Sequence, residues 1–199
     1  MGVLSDHYDA LGWMSMSGQT YYLHGKDQNV YLTQMDADTL QAQLDELYFL
    51  VIDSYDVSSL GKEKIKAIEK WVKNGGWLLI GTGERGKDTL GGFDSSFMEV
   101  SCKSVSKVGE ENDASKEMQQ LGSYSGFTGI DFSQMPVAKL QRNNINASKS
   151  EAYPGWVYAC GDGAIGVCAI SFGEKQMQKA STDLCYGCLL YTSPSPRDT

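Results

Sequence analysis

Five side chains with acid–base, hydroxyl or cationic chemistry stand just beyond two apolar runs. Asp53 and Asp56 follow the run 47–52, and Thr82, Glu84 and Arg85 follow the run 77–80. Two carboxylates beside a hydroxyl can hold a hard cation or hydrogen-bond a sugar. With a pKa raised by burial, Asp53, Asp56 or Glu84 would be an acid–base group of a hydrolase acting on a sugar or related small molecule. The plainer reading has Asp56 capping a turn and Glu84 pairing in water with Arg85 or Lys87. Burial separates the two, because a catalytic carboxylate sits in a pocket and a capping one is ionised and exposed.

Gly81-Thr-Gly-Glu-Arg-Gly86 matches the G-x-G-x-x-G spacing of dinucleotide sites. That chemistry needs a long helix starting within the glycines, so that its N-terminus meets the pyrophosphate. Residues 87–92 are a poor helix sequence, so the stretch from Gly83 to Gly92 reads as a tight loop. The two histidines, His7 and His24, read as surface or loop residues. Cys102, Cys160, Cys168 and Cys185 have no zinc-site spacing. Cys168 lies in an apolar strand and reads as a core thiol. No metal and no cofactor is implied.

These residues are positioned by 47–83, read as strand, helix, strand. The unbroken apolar run 47–52 suits a strand covered on both faces. Ser58 or Ser59 is placed to cap the following helix. Ile65, Ile68 and Val72 share one side of that helix, while Lys and Glu alternate on the open side, as on a solvated surface. Asn74-Gly75-Gly76 ends it, because a left-handed C′ residue suits Gly. Residues 77–80 form the next strand, a parallel crossover from the first.

Elsewhere, Met1–Leu4 reads as a strand end, with Asp6 capping a short helix through Tyr8, Leu11 and Met14. Gly18 to Asp27 reads as a loop and Asn29–Thr33 as a strand. Asp36 caps a helix bearing Leu40, Leu44 and Leu47. Alternating strands and helices specify an α/β three-layer sandwich with a mostly parallel, flavodoxin-like sheet. Met98–Val108 reads as an edge strand, 109–123 as loop or weak helix, 135–140 as a further strand near an edge, and 142–150 as a polar turn. Gly161-Asp162-Gly163 between apolar runs marks a C-terminal β-hairpin.

The 199 residues carry a net charge of −8 without a basic patch, which argues against nucleic acid as a partner. The sequence has no signal-peptide pattern and no apolar run of membrane-spanning length, so no membrane contact is expected of this stretch itself. Residues 188–199, from Cys188-Leu-Leu-Tyr-Thr-Ser onward, read as a translated sequencing adapter. The expected division is therefore a domain over 1–187, cut at both ends, and a non-native tail over 188–199. On this reading the C-x-x-C pair of Cys185 and Cys188 is accidental.

Several pieces in order carry a resemblance: the strand ending Asp53-Ser-Tyr-Asp56, the helix KEKIKAIEKWVKNGG, the strand WLLIGTG, the later YACGDGAIGVCAISFGE and the opening GVLSDHYDALGWM. Together, over most of 1–175, they resemble class I glutamine amidotransferase-like domains, in the non-catalytic branch found in bacterial membrane-anchored envelope proteins. Catalytic relatives carry a nucleophilic Cys at a sharp elbow after this strand, often followed by His. Here the elbow is Gly81-Thr82-Gly83, and both histidines precede it. The resemblance thus implies a pseudoenzyme, a scaffold or ligand-recognition module. Its partners would be a small molecule or other domains of the parent protein, and its setting extracytoplasmic, with a cytoplasmic one as the other option. Within it, Asp53, Asp56, Thr82, Glu84 and Arg85 remain the candidate ligand-binding residues.

Overall fold

The structure is a computed structural model and describes residues 1–15, 21–23, 26–28, 31–107, 135–143 and 155–179. The strands are β1 (Gly2–Ser5), β2 (Tyr21–Leu23), β3 (Lys26–Gln28), β4 (Thr33–Gln34), β5 (Phe49–Asp53), β6 (Trp77–Gly81), β7 (Val100–Lys107), β8 (Pro136–Arg142), β9 (Gly155–Cys160) and β10 (Gly163–Cys168). The α-helices are α1 (Leu40–Gln43), α2 (Lys62–Lys73) and α3 (Gly86–Gly91).

The main sheet has the order β4-β1-β5-β6-β10-β9. Every pairing in it is parallel except β9 with β10. The first five strands follow the flavodoxin-like order, with the hairpin strand β9 added at one side. The chain is therefore an α/β sandwich with a mostly parallel sheet and a C-terminal hairpin.

Strand pleating sends alternate residues to opposite faces, and two apolar clusters result. Val3, Val51 and Leu79 meet Leu11 and Met14 of a 3-10 helix (Tyr8–Met14), together with Phe172. Leu4, Leu50, Ile52, Leu78, Ile80, Ile165 and Val167 face the other way, into the larger cluster with α1 and α2. In α2 the buried side chains are Ile65, Ile68, Trp71 and Val72. The helix ends as its Asn-Gly-Gly sequence dictates. Gly75 has φ 110°, the Gly76 amide donates to the Trp71 carbonyl at 3.0 Å, and the Gly75 amide donates to that of Val72 at 2.9 Å. This is the Schellman arrangement.

Several expectations are corrected. Asp6 does not cap the first helix, which has His7 at its cap position and no side-chain cap bond; Asp6 is drawn instead to Arg85. Neither Ser58 nor Ser59 caps α2, which has Gly61 at its cap position, with φ 79° and no side-chain cap bond. Asp56 caps the preceding 3-10 turn (Val57–Leu60), accepting from the Ser58 amide at 3.0 Å. The stretch 18–27, expected as loop, contains β2 and the first two residues of β3, which pair antiparallel as a local ribbon. Of the strand expected over 29–33, Thr33 lies in β4, Tyr31 and Leu32 are not in a strand, and residues 29–30 lie outside the described ones.

The region after Gly83 is also not a loop. A 3-10 turn (Gly83–Arg85) leads into α3. Burial of Thr89 and Leu90, with the Thr89 hydroxyl donating to the Arg85 carbonyl at 3.0 Å, outweighs the poor helix propensity of its glycines. β7 and β8 do not join the main sheet but pair with each other as a separate two-stranded sheet. Pro136 is the first residue of β8, where a missing amide costs least. The expectations for 109–123, 144–150 and the tail 188–199 lie outside the described residues.

Gly75→Ala places a Cβ on a backbone that L-residues avoid, so it is expected to lower stability by about 1–2 kcal/mol. Urea unfolding of both proteins, read by circular dichroism, measures it.

Candidate functional site

The five residues expected to form a site stand at the carboxyl ends of β5 and β6, where parallel sheets bind ligands. The structure separates them. Asp53 is 1% exposed and lies inside the protein. Its carboxylate accepts from the Ser171 hydroxyl at 2.7 Å, the Phe172 amide at 2.6 Å and the Gly173 amide at 3.1 Å. Burial pushes its pKa up to about 6; Ser171, Phe172 and Gly173 pull it down, and the charge of Glu174 adds to the rise. Gly81 is required beside it, because a Cβ there would run into the Asp53 carboxylate and the Phe172 ring.

Thr82 is fully buried, and its hydroxyl donates to the Cys168 carbonyl at 2.7 Å. Its amide donates to the carbonyls of Cys168 and Ile170. The elbow therefore holds the chain that leaves β10, and its hydroxyl is committed to the backbone. Gly83 has φ 51°, and a Cβ on it would press on the Ser171 backbone.

Asp56, Glu84 and Arg85 lie outward. The Ser58 hydroxyl donates to Asp56 at 2.6 Å and, ahead of the Ser58 amide and Arg85, holds its carboxyl below the usual range. Asp56 is thus the ionised capping residue of the plainer reading. Glu84 is exposed. Arg85 crosses the carboxyl ends of β5 and β1, donating to the Ser54 carbonyl at 3.0 Å and to Asp6 at 2.6 Å, with Asp88 at 3.7 Å. Ser54 has φ 48°, a left-handed conformation uncommon outside glycine. The point where strand order reverses, between β1 and β5, is bridged by this ion pair.

Sequence reasoning missed Ser171 and Glu174. The Glu174 carboxyl is raised by burial and by the charge of Glu84. The one available signal was chemical: an aspartate closing a doubly covered strand must find donors, and Ser-Phe-Gly offers them. Which segment supplied them depended on β10 lying next to β6.

For the dinucleotide reading, Gly83 faces Ser171, and Gly86 faces Cys102 and Ala138. The helix that follows has six residues. The glycines thus serve close packing rather than an open crevice. Among the described residues no group of His, Cys, Asp or Glu is placed to hold a metal ion. A cavity of about 200 Å³ lies elsewhere, between α3 and β7, lined by Leu90, Phe93, Met98 and Val100 with Lys87 and Cys102. His7 is exposed, as expected, whereas His24 lies outside the described residues. Cys168 is partly buried against both apolar clusters.

No family model and no curated protein matches the chain. Solved structures share its fold. A cytoplasmic protein of Salmonella typhimurium LT2 is 13% identical with a TM-score of 0.57, over 94% of this chain and 87% of its own. An exo-beta-1,4-mannosidase from Opitutaceae bacterium strain TAV5 is also 13% identical, with a TM-score of 0.51, over 92% of this chain and 31% of its own. A GH42 beta-galactosidase is 12% identical with a TM-score of 0.50, over 93% of this chain and 25% of its own. The chain thus spans under a third of either glycoside hydrolase and most of the Salmonella protein. At these identities the likeness is one of fold.

Because the folded protein raises the Asp53 pKa from 3.8 to about 6, the folded state holds a proton that the unfolded chain releases. The resulting stability is complete below the ordinary Asp pKa and is lost as pH rises through about 6. Wild type should therefore gain on Asp53→Asn between pH 7 and pH 5, by roughly 1 kcal/mol. Urea midpoints of the two proteins at both pH values test this; a gap that is constant, or widens toward pH 7, contradicts it.

Proposed function

We propose that this chain is a non-catalytic glutamine amidotransferase-like module of a larger bacterial cell-envelope protein, acting as a scaffold or a ligand-recognition unit. The observation that carries this reading is the elbow. Where catalytic members of the resembled family place Cys and often His, this chain has Gly81-Thr82-Gly83, and the one hydroxyl there is buried and bonded to a backbone carbonyl. A hydroxyl acts as a nucleophile only with an adjacent base, and its single hydrogen-bond acceptor here is a carbonyl. The share of the two glycoside hydrolases that the fold spans supports a module within a longer chain. The extracytoplasmic setting rests on the resemblance alone, and the Salmonella protein described as cytoplasmic favours the other option. No described helix is long and apolar enough to cross a membrane, so in this reading the anchor belongs to other parts of the parent protein.

The second reading, a hydrolase acting on a sugar, has two observations in its favour. Asp53 has the raised pKa of a general acid, and two similar structures are of glycoside hydrolases. It is the weaker reading because Asp53 is 1% exposed and receives three protein donors. A substrate would have to displace residues 171–173 to reach it.

Two measurements test the proposal. The purified chain should release neither nitrophenol from aryl glycosides nor ammonia from glutamine above the blank. Turnover that Asp53→Asn abolishes, with the circular dichroism spectrum unchanged, would make the hydrolase reading the correct one. The uninterrupted gene, sequenced from unamplified DNA, should encode a signal peptide upstream and a membrane span downstream. A gene ending naturally at Thr199 without a membrane segment would overturn the envelope assignment.

A further inference from the structure

The cavity of about 200 Å³ between α3 and β7 lies away from the strand ends. Its floor is apolar: Leu90, Phe93, Met98 and Val100 are each less than a tenth exposed. Water over such a floor finds few polar partners, so an apolar group displaces it at little cost. The floor is also fixed before anything binds. Phe93 packs on Phe97 with ring centroids 5.4 Å apart, and the Met98 sulfur accepts from the Tyr158 hydroxyl at 3.3 Å. At the polar side of the lining, the Ser101 hydroxyl donates to the Asn143 side-chain carbonyl at 2.9 Å. A preformed wall leaves a ligand little ordering entropy to overcome.

The lining also holds one cation. Lys87 is exposed, and it lies close enough to Cys102 for its charge to oppose the rise that burial imposes on the thiol. Among the described residues Lys87 makes no ion pair, although acidic side chains outnumber basic ones by 25 to 17. The carboxylates that flank the cavity residues in sequence, Asp88 and Glu99, are held instead by Arg85 at 3.7 Å and by Arg142 at 2.7 Å. The other negative charges of the chain are screened over about 8 Å in physiological salt, so an ammonium in contact with a ligand outweighs them.

We infer that this cavity binds a small aromatic carboxylate, its ring on Leu90 and Phe93 and its carboxylate on the Lys87 ammonium. Size and charge select this class. A cavity of about 150 Å³ holds benzene, so about 200 Å³ leaves room for one ring with a short acidic arm, as in phenylacetate. A dinucleotide or an oligosaccharide is too large. The apolar floor also gives the hydroxyls of a sugar little to bond, whereas a flat ring packs well against that of Phe93. The inference is independent of the proposed function, because it uses none of the strand-end residues.

Titration of the isotope-labelled chain with phenylacetate, followed by amide chemical shifts, tests it. Binding should saturate with a Kd of about 1 mM, as suits a ligand of about ten non-hydrogen atoms, and the largest shifts should fall on residues 87–102. Benzyl alcohol, similar in size but neutral, should bind about fivefold more weakly or worse. Lys87→Met, which keeps the apolar stem and removes the charge, should erase that preference. Four results overturn the inference: no saturation up to about 20 mM phenylacetate, shifts centred elsewhere, equal affinity of wild type for the two probes, or a preference that survives in Lys87→Met. Should the variant fail to fold, the comparison of the two probes on wild type decides.

Discussion

Asp53 closes the central strand β5 out of reach of water, and a carboxyl there is tolerable only if its oxygens are met. Ser171, Phe172 and Gly173 meet them. Leaving such a group unmet costs about 1–3 kcal/mol for a neutral donor or acceptor and more for a charge, so the segment after β10 is bound to this position. Other details follow. Residue 81 must lack a side chain so that the carboxylate can lie beside β6. Phe172 is carried into the smaller apolar cluster, and its carbonyl accepts from the Trp13 indole at 2.9 Å. One carboxylate thus links the N-terminal 3-10 helix, two central strands and the segment beyond the hairpin.

The same linkage explains why the strand ends do not form the expected cluster. In doubly wound sheets the carboxyl ends are open because the loops splay apart where strand order reverses. Here residues 171–173 fold back over β5 and β6, and Arg85 bridges toward Asp6 across the remaining gap. The polar groups that sequence placed together are divided between an interior network and a solvated rim.

What could be read in advance divides along the same line. The unit from β5 through α2 to β6 was legible because its signals are local: a doubly apolar run, a three-and-four spacing, and an Asn-Gly-Gly stop. The β9–β10 hairpin was legible for the same reason, through its Gly-Asp-Gly turn. The partners of Asp53 were not, because they are more than a hundred residues away and are set by strand order. α3 was missed because its two glycines, with Gly92 at its end, argue against a helix that buried Thr89 and Leu90 nevertheless hold. The β7–β8 ribbon was mistaken for sheet edge because alternation reveals a strand but not its partner. Of the site residues, Asp56 behaved as the cap its spacing suggested, while the burial of Thr82 was invisible to any local pattern.

The strand order has a consequence during synthesis. β6 must pair with β10, yet about 80 residues separate the end of one from the start of the other. At about 5–20 residues per second, a ribosome needs roughly 4–16 s to add them. Over that interval β5 and β6 are complete while one side of β6 has nothing to bond. The nascent chain therefore carries an open apolar edge of five residues, Trp77–Gly81, that only its own distant hairpin is built to close.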